Sequence, residues 1–336
     1  MTRVAAVDCG TNSIRLLVAD ADPATGELTD LDRRMQIVRL GQGVDRTGRL
    51  APEALERTFA ACHEYAALIK EHGAERLRFV ATSASRDAEN RADFVRGVLD
   101  ILGVEPEVIS GDQEAEFSFT GATRELAGRE REGASAERSR QKGGGGRREG
   151  LELPFLVVDI GGGSTEFVVG EQHVRAARSV DVGCVRMTER HLVHDGKVAD
   201  PPGPARIAAI KADIEAALDE VERTVPLHEA RTLVGLAGSV TTVAAISLGL
   251  SAYDSAAIHH SRISRAQVDA VTERMLTSTH AERAAIPVMH PGRVDVIGAG
   301  ALVLRTIMER TGAREVVVSE HDILDGIAWS LVPDPE

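Results

Sequence analysis

Two glycine-rich turns, each following an apolar strand that ends in an aspartate, contain the residue types best suited to chemistry in this sequence. The first turn is Gly10, Thr11, Asn12 and Ser13 after Asp8, and the second is Gly161, Gly162, Gly163, Ser164 and Thr165 after Asp159. Glycines let consecutive backbone N–H groups converge on an anion, hydroxyls add donors, and an aspartate can hold a cation that bridges phosphate oxygens. Each turn leads into another strand, whereas a Walker loop or a Rossmann fingerprint opens a helix. The pattern predicts two phosphate-binding hairpins.

The two turns belong to a longer internal repeat. When Asp8 is aligned with Asp159, the flanking segments match without gaps, and three further positions coincide: Gly10 with Gly161, Ser13 with Ser164 and Val18 with Val169. One such turn alone is equally well explained as an ordinary β-turn, but two copies at the heads of two segments favour a shared role. The repeat predicts two related halves that open with the same turn.

Two other segments could contact phosphate, although each also has an ordinary structural explanation. Gly238 and Ser239 lie between an apolar strand and a helix, where free N–H groups favour an anion but small residues are as typical of close helix packing. Ser83 and Arg86 follow another strand, and a hydroxyl with a guanidinium suits phosphate through charge-assisted hydrogen bonds. A helix cap beside a surface arginine would explain the same residues.

Apolar segments along the chain alternate between strand and helix patterns. Residues 4–7 and 14–19 are predicted as strands around the first turn, Met35–Leu40 as a third strand, and Pro52–Lys70 as a helix. This alternation predicts α/β layers in which helices cover the strands. The uncharged segment 232–253 is interpreted as a strand, a Gly-Ser turn and a buried helix, and not as a membrane span.

Composition excludes several classes of protein. The 336 residues favour two domains, and 52 acidic against 39 basic side chains give a formal net charge of -13. A polyanion must therefore be held by a local cluster of donors, and with aromatic residues at 3% we expect no base-stacking platform and no DNA partner. The 3 cysteines are odd in number and share no metal-ligand spacing, which argues against a disulfide framework and a zinc site and fits the reducing cytoplasm. Since the segment 232–253 is not interpreted as a membrane span, we expect no membrane association.

The segment 126–150 differs from the rest of the chain because it is rich in glycine and arginine and has almost no apolar surface to bury. It is predicted as a flexible basic loop, with a mobile arm that touches a polyanion as the alternative. The predicted organisation is therefore an N-terminal domain over residues 1–125, the loop, and a C-terminal domain over residues 151–322. A last helix near 323–331 is predicted to pack back on the first domain.

Taken in order, these turns make the sequence similar to the exopolyphosphatase and guanosine pentaphosphate phosphatase (Ppx/GppA) family, in the superfamily of actin, sugar kinases and heat-shock chaperone ATPases. The resemblance rests on residues 6–17, 81–88, 109–111 with 114–115, and 158–166, and it extends from residue 4 to about residue 330. It implies an α/β, two-domain, actin-like (ribonuclease H-like) ATPase fold whose active site lies in the interdomain cleft.

The resemblance also implies an activity and roles for named residues. The activity is hydrolysis of the terminal phosphoanhydride of inorganic polyphosphate, with release of orthophosphate, by a water that Glu114 activates with the help of Mg²⁺ or Mn²⁺. The metal would be organised by Asp8, Asp159 and Glu166. Phosphates would be held by the three turns and by two arginines and a serine, namely Gly10, Thr11, Asn12, Ser13, Arg15, Ser83, Arg86, Gly161, Gly162, Gly163, Ser164, Thr165, Gly238 and Ser239. The family often has an acidic residue directly before the catalytic glutamate, where this chain has Gln113.

Three alternatives remain open at this point. The first is a guanosine pentaphosphate 5'-phosphohydrolase that yields guanosine tetraphosphate. The second is a sugar or acetate-type kinase, for which no acceptor motif is identified. The third is a non-catalytic sensor of polyphosphate or of an alarmone nucleotide. The family further suggests a homodimer.

Overall fold

The computed structural model describes residues 1–23, 25, 27–137, 151–194 and 197–332, and a five-stranded sheet forms the first half of the molecule. Its strands are β1 (Thr2–Cys9), β2 (Ser13–Asp22), β3 (Glu27–Ile37), β4 (Arg76–Ala81) and β5 (Glu107–Val108). The strand order is β3-β2-β1-β4-β5. Strands β1 to β3 form an antiparallel meander, and β4 and β5 continue the sheet parallel to β1.

A six-stranded sheet forms the second half. The remaining strands are β6 (Phe155–Ile160), β7 (Thr165–Gly170), β8 (Val174–Val180), β9 (Val193–His194), β10 (Lys197–Val198), β11 (Thr232–Leu236), β12 (Arg262–Ser264) and β13 (Glu315–Val318). The sheet order is β12-β13-β11-β6-β7-β8, and β9 pairs with β10 separately. An antiparallel meander, β6 to β8, is again followed by two parallel strands. Five strands of the second sheet therefore repeat the topology of the first, with β12 as an additional antiparallel edge strand, and the predicted α/β fold of actin-like type is confirmed.

Helices cover both sheets. They are α1 (Val44–Thr47), α2 (Pro52–His72), α3 (Ser83–Asp87), α4 (Arg91–Leu102), α5 (Gly111–Glu137), α6 (Cys184–His191), α7 (Pro204–Val221), α8 (Ala237–Ser247), α9 (Ser255–Ile258), α10 (Arg265–Thr277), α11 (His280–Ala284), α12 (Ile297–Thr311) and α13 (Ile323–Ser330). The segment 232–253 contains β11 and α8, as predicted. Within the described residues, we find no helix with the length and hydrophobicity that a membrane span requires.

Two helices lie between the sheets and connect them. Helix α13 packs on β1 and β2 of the first sheet, and α5 packs on β6 to β8 of the second. The two helices cross at backbone contact, since a Cβ atom on Gly121 would lie 1.8 Å from the carbonyl oxygen of Asp322, and one on Gly326 would lie 2.1 Å from that of Phe117. Glycine is required at both positions because any side chain would force the helices apart.

The central strands β1, β2, β6 and β7 are buried on both faces, which explains their nearly continuous apolar sequences. One side of the first sheet packs on α2 and α4 through residues such as Tyr65 and Phe94, and the other side packs on α13. The largest apolar cluster lies on the side of the second sheet that faces α7, α10 and α12. The ends of the buried strands are thereby fixed, and both glycine-rich turns follow directly from such ends.

The start of the predicted loop differs from the prediction. Helix α5 continues to Glu137, so residues 126–137 are helical, and residues 138–150 lie outside the described residues. Leucine, alanine, glutamate and arginine in this stretch are strong helix formers, and no proline interrupts them. A low apolar content indicates that a segment is not buried, but it does not exclude a helix.

Candidate active site

The two glycine-rich turns have the same hairpin geometry and contact each other across the cleft between the sheets. In the first, the N–H of Gly10 donates to the carbonyl oxygen of Ser13 (2.9 Å), and in the second, that of Gly161 donates to Ser164 (3.1 Å). A Cβ atom on Gly162 would lie 3.0 Å from Cβ of Thr11. The hairpins therefore face each other at close range, with glycine allowing the contact.

Most of the predicted site residues line one cavity of about 90 Å³ between the hairpins. These residues are Asp8, Gly10, Thr11, Asn12, Ser13, Arg15, Ser83, Glu114, Asp159, Gly161, Gly162, Ser164, Gly238 and Ser239. Gly238 and Ser239 begin α8, directly after β11, so the third turn joins the first two. The structure thus brings together residues that are separated by more than 200 positions in the sequence.

Four predicted residues do not line this cavity. Gly163 packs between the hairpins, where a Cβ atom would lie 2.6 Å from the hydroxyl of Ser83. Thr165 is fully buried, and its hydroxyl donates to the carbonyl oxygen of Val182, so it is not available to phosphate. Arg86 contacts Glu114 and lines a neighbouring cavity of about 590 Å³, and the buried Glu166 accepts a hydrogen bond from Ser179.

Glu114 is positioned by the first turn of α5. It is buried, and Nη1 of Arg86 lies 3.3 Å from its Oε2 while also donating to the carbonyl oxygen of Ile109 (3.0 Å). The exposed Gln113, by contrast, has a structural role at the start of the helix. Its Oε1 accepts from the N–H of Ser110 (3.0 Å), and its own N–H donates to the hydroxyl of Ser110 (3.3 Å), which is a helix capping box. The departure at Gln113 therefore serves the start of the helix and does not reach the cavity.

Asp8 is paired through only one of its oxygens. Nε and Nη2 of Arg15 both donate to Oδ2 of Asp8, at 3.0 and 2.6 Å, and Nη1 of Arg15 donates to Asp322. The other oxygen of Asp8, Oδ1, is buried and has no hydrogen-bond partner in the described structure. Arg15, predicted to bind phosphate, is thus already engaged by two carboxylates.

The second hairpin presents two buried carboxylates, each held by a serine. Ser118 of α5 donates to Oδ2 of Asp159 (2.7 Å), and Ser179 of β8 donates to Oε1 of Glu166 (2.7 Å). Burial, and then the charge of neighbouring carboxylates, raises the pKa of Asp159 to about 7 and that of Glu166 to about 8.

Burial also raises the pKa of two other carboxylates, Asp8 and Glu114. The pKa of Asp8 is raised although Arg15 opposes the shift, and the pKa of Glu114 is raised well above its usual range although Arg86 opposes it. Both arginines favour the charged forms but do not balance all the acidic groups. The cavity therefore favours an additional positive charge.

The donor set fits a magnesium ion that is shared with phosphate. Among the described residues, no three Asp, Glu, His or Cys side chains are grouped closely enough to hold a metal ion by themselves. Mg²⁺ usually binds through one or two carboxylates together with water and substrate phosphates. Asp8, with its unpartnered Oδ1, and Asp159 both line the cavity and suit that arrangement. Glu166 does not line it.

Sequence reasoning missed one arginine of the cavity wall. Nη1 of Arg293 donates to the carbonyl oxygen of Gly238 and to the hydroxyl of Thr242 (3.0 Å), and no carboxylate of the described chain forms an ion pair with it. Burial lowers the pKa of Arg293 from its ordinary value, although an arginine remains charged at neutral pH. The available signal was an arginine after Pro291 and Gly292 in a stretch that is apolar apart from His290 and Asp295.

Comparison with known proteins gives consistent results over nearly the whole chain. The model of the Ppx/GppA phosphatase family matches residues 17–135 and 147–334. The chain is 50% identical over 342 residues to Exopolyphosphatase 2 of Mycobacterium tuberculosis, with 98% of this chain and 99% of that protein covered. It is 28% identical to a guanosine-5'-triphosphate,3'-diphosphate pyrophosphatase of Vibrio atlanticus, where 98% of this chain but only 59% of that protein is covered.

A solved structure supports the same comparison. The PPX-GPPA enzyme of Aquifex aeolicus superimposes with a TM-score of 0.75 at 29% identity, with 98% of this chain and 99% of that chain covered.

Proposed function

The chain belongs to the Ppx/GppA phosphatase family, and from this membership and the geometry of the cleft we propose that it is an exopolyphosphatase. The reaction removes the terminal phosphate of inorganic polyphosphate as orthophosphate. The observation that carries the proposal is the buried Glu114 on the wall of a cavity formed by two facing hairpins of phosphate-binding type. The 50% identity to a protein named Exopolyphosphatase 2 favours polyphosphate over other substrates.

In the proposed reaction, Glu114 is the general base. Its carboxylate accepts a proton from a water, whose oxygen forms a bond to the terminal phosphorus while the bridging P–O bond breaks. The products are orthophosphate and a chain shortened by one phosphate. Arg86 lies 3.3 Å from Glu114 and favours the charged carboxylate, which is the form that can accept the proton.

Asp8, through Oδ1, and Asp159 would hold Mg²⁺ or Mn²⁺. When bound, the cation would offset phosphate charge beside Glu114, which would otherwise repel the substrate. Glu166 and Ser179 would keep the second hairpin in position without contacting the metal.

The terminal phosphates would be held by backbone N–H groups of the hairpins, by hydroxyls, and by Arg293. The guanidinium of Arg293 has no carboxylate partner in the described structure and lies beside Gly238 and Ser239, so it is available to an anion. Arg15 and Arg86 contribute indirectly, because each holds a site carboxylate. With a net charge of -13, polyphosphate must be captured by these local donors, and nucleic acid is not among the proposed ligands.

Guanosine pentaphosphate is the second candidate substrate. It presents a terminal phosphoanhydride to the same hairpins, and the relative from Vibrio atlanticus carries the name of an enzyme that acts on it. A kinase would need an acceptor site beside the cavity. A sensor would bind the phosphate chain without cleaving it. Homodimer formation and a cytoplasmic location remain part of the proposal.

Phosphate release measured with long polyphosphate, tripolyphosphate and guanosine pentaphosphate tests the function. We expect Mg²⁺-dependent release of orthophosphate from polyphosphate at a higher kcat/KM than from guanosine pentaphosphate. A higher kcat/KM for guanosine pentaphosphate would select the second candidate. Tight binding of polyphosphate without release would identify a sensor, and phosphate transfer from ATP to an added acceptor would identify a kinase.

A further inference from the structure

Asp322 connects the last helix of the chain to the cavity. It is buried, and it is the N-cap of α13, where its Oδ1 accepts from the N–H of Leu324 (3.0 Å). Its Oδ2 accepts from Nη1 of Arg15. One carboxylate thus caps a helix with one oxygen and holds the cleft arginine with the other.

The contact between Asp322 and Arg15 bears on how Arg15 pairs with Asp8. With Nη1 of Arg15 held by Asp322, the Nε and Nη2 atoms of Arg15 both fall on Oδ2 of Asp8. Arginine and carboxylate often pair through two parallel hydrogen bonds, one to each oxygen. In that arrangement, Oδ1 of Asp8 would also be occupied. Instead it is buried without a hydrogen-bond partner, on a residue that lines the cavity.

We propose that Asp322 is a positioning residue for the cation site, because it holds Arg15 in the orientation that leaves Oδ1 of Asp8 open to the metal ion. This inference rests on the proposed metal-assisted function. It means that Asp322, at the start of the last helix, helps to position Asp8 of the first sheet through Arg15. Without the charge of Asp322, Arg15 would turn toward both oxygens of Asp8 and compete with the cation.

The chain offers a matched control three residues further on. Asp325 is also buried and also belongs to the capping of α13, since its Oδ2 accepts from the N–H of Asp322 (2.9 Å). It too is paired with an arginine of the first sheet, because Nη1 of Arg33 donates to its Oδ2 (3.3 Å). Neither Asp325 nor Arg33 lines the cavity. A purely structural role predicts the same outcome for both aspartates.

The experiment measures Mn²⁺ binding by electron paramagnetic resonance, alone and with orthophosphate, for the full chain and for Asp322→Asn, Asp322→Ser and Asp325→Asn. Asparagine and serine both retain the capping acceptor, so the two Asp322 variants remove mainly the contact to Arg15. We expect both to weaken Mn²⁺ binding by roughly 10-fold to 100-fold, the range typical when a group that orients a metal ligand is lost. Asp325→Asn should bind Mn²⁺ like the unchanged chain.

Steady-state kinetics with polyphosphate complete the test. For the Asp322 variants we expect the metal concentration for half-maximal rate to rise by the same factor, with little change in the KM for polyphosphate at saturating metal. Melting temperatures report any shared loss of helix stability. Equal Mn²⁺ affinities for Asp322→Asn, Asp325→Asn and the unchanged chain would overturn the proposal, and so would an unchanged chain that binds no Mn²⁺. An inactive unchanged chain that binds Mn²⁺ would overturn the proposed function alone, since the binding comparison would still support Asp322.

Discussion

The two hairpins have the same backbone geometry but differ in the charge of the residue that pairs with the aspartate on the neighbouring strand. In the first sheet, Asp8 of β1 pairs in register with Arg15 of β2, and in the second sheet, Asp159 of β6 pairs in register with Glu166 of β7. The equivalent position is therefore basic in one half and acidic in the other. The same fold supplies an ion pair on one side of the cavity and two carboxylates on the other.

Because of this difference, the two hairpins have different electrostatic roles in the site. The charge of Asp8 is offset within its own hairpin by Arg15, which positions it. Asp159 and Glu166 accept hydrogen bonds from Ser118 and Ser179, and the arginine charges that oppose their pKa shifts, Arg15 and Arg86, lie outside the second hairpin. Burial, together with the charge of neighbouring carboxylates, raises the pKa of Asp159 to about 7 and that of Glu166 to about 8. The second hairpin therefore depends on positive charge from elsewhere, of which Arg15 and Arg86 supply a part and a bound cation would supply more.

The largest expected effect concerns Glu114, which lies between the hairpins. Glu114→Gln should reduce kcat for polyphosphate by about 100-fold to 10,000-fold while leaving binding of the chain nearly unchanged, because the amide keeps the shape but cannot accept a proton. The exposed Glu116→Gln, two residues further along α5, is the matched control and should retain full activity. A Glu114→Gln variant with more than about a tenth of the original kcat would remove this residue from the role of base.

The second prediction concerns Asp159 and tests whether the second hairpin requires the cation. Asp159→Asn should raise the Mg²⁺ concentration for half-maximal rate by roughly 10-fold or more, because a carboxylate on the cavity wall is lost. Asp112→Asn, which changes an exposed aspartate in the first turn of α5, should leave the metal dependence unchanged. Identical Mg²⁺ titrations for Asp159→Asn and the unchanged chain would contradict a metal site on this hairpin.

A smaller effect is expected from the arginine that stands beside the second hairpin. Arg293→Gln should lower kcat/KM for polyphosphate by about 10-fold to 100-fold, which corresponds to the loss of one charge-assisted hydrogen bond worth about 1.5 to 3 kcal/mol. Arg310→Gln changes a partly exposed arginine at the end of α12, distant from the cavity, and serves as the control. If both variants behave alike, Arg293 supports the packing around Gly238 and does not contact substrate.

The internal repeat explains why so much of the site could be predicted from sequence. Local signals, an apolar strand ending in aspartate and a glycine turn, identified both hairpins and thus the central strands of both sheets. The prediction was wrong for β3, whose bounds depend on pairing with a neighbouring strand and not on a local sequence pattern. Strand β3 spans Glu27–Ile37 and not Met35–Leu40, because this edge strand is largely exposed and is held by backbone pairing to β2.

Site residues whose role depends on contacts distant in sequence could not be predicted from the sequence either. Arg293 lines the cavity from the turn before α12, whereas Ser118 of α5 and Asp322 at the N-cap of α13 contact the cavity residues Asp159 and Arg15. None of them belongs to a glycine-rich turn, so the motif that identified the hairpins did not include them. Arg86 was predicted as a phosphate ligand from its charge and Arg15 from the family resemblance, but their carboxylate partners are seen only after folding. The motif predicts the backbone of the site, and the tertiary contacts determine its charge balance.

The smallest expected effect follows from the pKa difference itself. In the metal-free folded chain, Asp159 and Glu166 keep their protons up to about pH 7 and about pH 8, whereas the unfolded chain releases them near pH 4. Because the folded state binds more protons in that window, its stability should fall as pH rises from about 4 to about 8 and change little above it. Glu166→Gln removes one of these protons and should flatten the decrease in melting temperature by a few degrees. Exposed Glu171→Gln is the control, and Mg²⁺ should raise the melting temperature more at pH 8 than at pH 6. Parallel curves for the unchanged chain and Glu166→Gln in chelator would mean that the acidic pair is balanced within the protein, and the contrast between the two hairpins would then be one of sequence alone.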